Sequence, residues 1–176
     1  VSDSAAHLVK DYIKWSYSGK LSSFLCWPRT DKGSSDSATN MNEVQETFIA
    51  LAEAYVFGDK VIDNTYKNTI LDNLIVVASE SNRRPGPDCA NIIFTGTTSG
   101  SSAGRVLADF IAHDAWDDSR SSPAGWMSSI DDYLQELLAD AMKKMLSLRP
   151  RSKCDWSCSC RPWVKNPAGY HEVEGA

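Results

Sequence analysis

Two apolar series flank the hexapeptide Tyr55-Val56-Phe57-Gly58-Asp59-Lys60. Before the glycine, Phe48, Leu51, Ala52, Tyr55 and Val56 recur at helical spacing, and after it so do Ile62, Tyr66, Ile70, Leu74 and Val77. Two amphipathic helices joined by a few residues must bury their stripes against each other or against a third element, so the centre of the chain is held to a helical architecture. The predicted elbow is Gly58. Tyr55 and Val56 make the last core-facing turn, the glycine takes the left-handed conformation that ends a helix, and the next helix begins shortly after. Asn42 is the expected N-cap of the first arm, with Gln45 reaching back to it, and Pro85, Gly86 and Pro87 close the second.

The same spacing extends outward. Ala5, Leu8, Val9, Tyr12 and Ser16 mark one face of a helix over residues 3–18 that Gly19 stops. Further helices are expected at 43–57, 62–81, 88–97, 102–116 and 129–148. The last starts at Ser129 with Asp132 and carries a stripe from Ile130 and Tyr133 through Leu137, Leu138, Ala141, Met142 and Met145. Residues 28–42, polar, serine-rich and without period, read as a mobile surface loop. No segment reads as a strand: IIF at 92–94 and LIVVA at 74–78 are β-prone, but the second is in phase with its helix. The fold class is all-α.

Composition narrows the function classes. At 176 residues and 42% hydrophobic, the chain suffices for one domain with a real core. It contains no apolar run of about 18 residues and no leader of the secretory type, so the expectation is no membrane span and an intracellular setting, cytoplasm or nucleus. It opens on Val1 and enters a helical pattern almost at once, which reads as a chain with a segment upstream. Residues 143–165 hold seven cations against Asp155, a balance of +6, leaving −11 for the remainder of a chain whose net charge is −5. With Trp156 and Trp163 in it, this basic stretch offers a second reading, a nucleic-acid-associated or transcription-related factor; against that, the stretch can lie over the chain's own acidic surface.

Catalytic signals are missing. The histidines are His7, His113 and His171, and the sequence has no serine elbow, phosphate-cradling glycine loop or His-Glu-x-x-His. His113 and Asp114 are helical neighbours whose side chains diverge by about 100°, a solvated face rather than a base with its orienter. Cys154, Cys158, Cys160 and His171 are the one candidate metal set, three thiolates and an imidazole. Their Cys-x-x-x-Cys-x-Cys spacing lacks the knuckle of structural zinc sites, so ordinary thiols, no metal and no cofactor are expected.

The order of features is informative beyond periodicity. An amphipathic helix ends in WSYSGKL, a variable loop follows, then FIALAEAYVFGDKVIDNTYKNTILDNLI, and NPAGYHE near the end. Over residues 3–81 this resembles the C-terminal helical half of a BTB/POZ domain, as in fungal BTB proteins. The resemblance implies residues 1–82 as the helical remainder of a BTB/POZ-like α+β domain, 88–149 as an appended helical region and 150–176 as a basic tail carrying Trp and Cys. The strands that open such a domain, and much of the surface through which it self-associates, have no counterpart here. In a complete domain those strands would also cover the helices around Tyr12, Phe48, Leu51 and Tyr66. What the resemblance implies for function is a non-enzymatic protein–protein interaction module, with a cullin scaffold of a ubiquitin ligase as partner. In such adaptors the helix before the elbow carries a hydrophobic-x-acidic tripeptide, here Val9-Lys10-Asp11, followed by Tyr17; the implied contacts are Val9 in an apolar pocket, Asp11 accepting hydrogen bonds and Tyr17 over the seam. Against this, Val9 also lies on the stripe assigned to the core, with Asp11 solvated and Tyr17 packed locally.

Overall fold

The computed structural model describes residues 3–22, 25, 37–114, 130–148 and 165–171. Among them are six helices and no strand. The helices are α1 (Asp3–Ser18), α2 (Ser37–Lys60), α3 (Asn64–Ser81), α4 (Pro87–Gly96), α5 (Ser102–Asp114) and α6 (Gln135–Leu148), followed by a 3-10 turn, Pro167–Tyr170.

Helix α2 is the hub, packing on α3 and α4 and touching α1, while α5 packs on α6. One core cluster includes Phe48, Leu51 and Tyr55 of α2, Tyr66, Ile70 and Leu74 of α3, Ile93 of α4, Phe110 of α5 and Leu137 of α6. The core is therefore continuous across residues 82–88. Phe48, Leu51 and Tyr66 are covered by the chain's own helices and need no strand to exclude water.

The α2–α3 elbow exists, but not at Gly58. Helix α2 continues to Lys60, and the left-handed residue is Ile62, at φ 58° and 86% exposed, so it is lost from the predicted core stripe. Gly58 serves close approach instead. A Cβ there would lie 2.8 Å from Lys67 Cγ and 3.0 Å from Tyr66 Cδ1, so the glycine lets α3 come down onto α2. Gly96 does the same for α4, where a Cβ would meet both methyl carbons of Val56 at 2.6 Å. Asp63 caps α3, its Oδ1 accepting from Tyr66 N–H at 2.9 Å. Asn82, left-handed at φ 52°, ends α3, and Gly19 at φ 65° follows α1 as predicted.

Other boundaries differ as well. Helix α2 begins at Ser37, inside the loop expected at 28–42; residues 28–36 of that loop lie outside the described ones. Asn42 is consequently inside the helix, and Gln45 is engaged elsewhere. Its Nε2 donates to Arg84 O and its Oε1 accepts from Gly86 N–H, both at 2.9 Å, pinning the α3–α4 connection to α2. Arg84 secures that connection from the other side, its guanidinium donating to Ala78 O at 2.8 Å and pairing with Asp114 of α5. The predicted start of the last helix is a separate turn at Ile130–Asp132, with α6 beginning at Gln135. Tyr133 interrupts it by turning inward to donate its hydroxyl to Pro85 O at 3.3 Å. Only Leu137 and Ala141 of α6 are fully buried; Met142, Met145 and Leu146 face out.

Candidate protein-docking face

Helix α1 lies against the elbow through its aromatic residues. The ring of Tyr12 stands 5.5 Å from that of Phe57 and 5.1 Å from that of Tyr66, edge to face, and the Trp15 ring is 4.9 Å from that of Tyr66. Tyr12 Oη donates to Asp63 Oδ2 at 2.9 Å, so the carboxylate that caps α3 also holds α1. That bond, with burial behind it, keeps the Tyr12 phenol above its usual pKa. Burial first, and then the charge of Asp11, raises the phenol of Tyr66 to about 12.

With Leu8, Tyr12 and Trp15 packed inward, the opposite side of α1 is open. Val9 is 44% exposed, Ile13 49% and Tyr17 91%. At spacings of four they form one apolar line along the helix. Lys10, Lys14 and Lys20 are exposed beside it. Val9 and Ser16, assigned to the core stripe by spacing, are thus on the outer side, and Trp15 takes the inward place. At the elbow, which meets the packed side of α1 through Asp63, Val61 and Ile62 are also exposed.

The three residues implied by the resemblance do not share a face. Val9 and Tyr17 are on the open side, whereas Asp11, two residues or about 200° of helix from Val9, is half-buried and close enough to Tyr66 to act on its phenol. Ile13, between Val9 and Tyr17, is not part of the tripeptide pattern; its signal in the sequence is the i, i+4, i+8 spacing of the three apolar residues.

Elsewhere, Asp114 pairs with Arg84. Cys154, Cys158 and Cys160 lie outside the described residues. His171 is described, and its Nε2 is 2.7 Å from Asp72 Oδ1. No cluster of three or more metal-ligating side chains occurs among the described residues, and no described helix is long and apolar enough to cross a membrane. One cavity of about 400 Å³ lies between α5, α6 and the 167–170 turn, away from α1, lined by Arg105, Asp109, Asp140, Lys144, Asn166 and Tyr170 among others.

No family model, curated protein or solved structure matches the chain.

Proposed function

We propose that this chain is a non-enzymatic protein-interaction module that docks a partner along the outer face of α1. The observation that carries this is the line Val9, Ile13 and Tyr17, three large side chains at helical spacing on a helix whose other face is already packed. An isolated exposed apolar side chain is ordinary; an aligned set ending in an almost fully exposed tyrosine has the composition of an anchor row. The flanking Lys10, Lys14 and Lys20 favour a partner whose apolar groove is rimmed by carboxylates. In the adaptor reading that partner is a cullin, with Val9 and Tyr17 as anchors and Asp11 behind them.

The test is a pull-down of the purified chain against a cullin, with Tyr17→Ala and Ile13→Asp compared after circular dichroism shows intact helices. Both positions are exposed, so folding should survive. Capture by the parent, with loss of about tenfold or more in each variant, supports the reading. If the parent captures nothing, the cullin assignment fails. If it binds and both variants bind equally well, the α1 face is the wrong surface.

A further inference from the structure

The segment 165–171 is attached to the helical body in an unusual manner. Of its residues only Tyr170 is buried; Lys165 to Gly169 are exposed and His171 is half-buried. The turn packs on α3 and α5, and the Tyr170 hydroxyl donates to Asp109 Oδ2 of α5. Asp109 is 3% exposed, and its other oxygen lies 2.9 Å from Lys144 Nζ of α6. At the far end His171 meets Asp72 of α3. The segment thus holds by one aromatic side chain in a slot, one hydrogen bond to a buried carboxylate and one polar contact at the rim. That is the anatomy of a bound peptide rather than of a core element.

Tyr170 joins the edge of the core cluster, and two further observations bear on how the rest of the segment is held. The cavity beside Tyr170 has the segment as one wall, through Asn166, Gly169 and Tyr170, and α5 and α6 as the other, so the groove is wider than its occupant. And Asp109 has Lys144 as a second partner at 2.9 Å, so its charge does not depend on Tyr170 alone. The sixteen residues 149–164 link the segment to α6, which makes docking an intramolecular event at high effective concentration.

We propose that residues 165–171 are an exchangeable intramolecular ligand, and that the α3–α5–α6 groove is a recognition site for a peptide in which a tyrosine follows a small residue and precedes a histidine. Asp109 reads the tyrosine hydroxyl, the buried slot beside α5 reads its ring, and Asp72 reads the following imidazole. The tethered copy occupies the groove until a competing peptide displaces it.

The probe is a labelled peptide VKNPAGYHEV, residues 164–173, titrated by fluorescence anisotropy into the full chain and into its Tyr170→Ala variant. The variant is expected to bind, the parent at least about tenfold more weakly because its own segment competes. The same peptide with phenylalanine in place of tyrosine should bind the variant at least about tenfold more weakly, having lost its bond to a carboxylate. Equal binding by parent and variant, no binding by either, or undiminished binding of the phenylalanine peptide overturns the proposal. Independently of any variant, the amides of Gly169 and His171, bonded to Asn166 O and Ala168 O, should exchange hydrogen in the parent chain through an opening far more frequent than that of the α5 amides. Exchange only through global unfolding, or loss of helical circular dichroism in Tyr170→Ala, would make the segment part of the core and overturn the proposal as well.

Discussion

Ile62 occupies a conformation that a β-branched residue adopts only under constraint, and its side chain gains almost no burial there. Replacing it with asparagine, which tolerates the left-handed region, should stabilise the chain by about 1 kcal/mol, read as a higher urea midpoint. If partner binding falls while stability rises, Ile62 belongs to the docking surface and its strain is retained for that purpose. Gly96 presents the opposite case. Its replacement by alanine drives a Cβ into both methyls of Val56, a side chain fixed by its branching, and should destabilise by about 1–3 kcal/mol. The phenol of Tyr66 adds a pH dependence. It is held near 12 in the folded chain but ionises near 10 when unfolded, so the folded state binds more protons between those values. The stabilisation is present in full below pH 10 and declines as pH rises toward 12, which a series of urea titrations across that window would register.

At the level of elements, the connections are held by side chains more than by turn chemistry. Arg84 bridges the end of α3, the loop and Asp114 of α5, with both charged side chains largely out of water. Arg84→Ala leaves Asp114 without that partner in its largely buried site and should cost on the order of 3 kcal/mol, while Arg84→Lys, lacking the fork, should recover only part of it. These bridges explain which elements were legible in the sequence. The 3.6-residue period located all six helices, because apolar faces must point to a common core whatever their neighbours are. It did not place the elbow, because Gly58 has two uses, left-handed turn or close approach, and only the position of Lys67 across the interface selects the second. The capping pattern of Asn42 and Gln45 failed for the same reason, since the partners of the Gln45 amide are about forty residues away. On α1 the inward face lies about one residue from the place that spacing gave it, because Trp15 displaces Ser16 once Tyr66 supplies an aromatic ring to meet it.

For the whole molecule, the continuous core predicts that residues 37–114 and α6 unfold together. Phe48→Ala in α2 and Phe110→Ala in α5 should each cost about 3–5 kcal/mol and shift the same single transition. Two resolved transitions, each sensitive to one substitution, would instead mean separate units divided near residue 85. The docking of residues 165–171 also bears on the order in which the chain is made. Asp109 and Tyr170 are 61 residues apart in sequence, and Asp72 and His171 are 99 apart. On the ribosome, α2 to α5 emerge and can pack while the groove over Asp109 is still empty. Every newly made molecule therefore passes through an interval in which its helices are in place and its own ligand has not yet arrived. A chaperone or a partner peptide reaching the groove during translation competes with nothing, whereas one arriving later must displace a tethered rival.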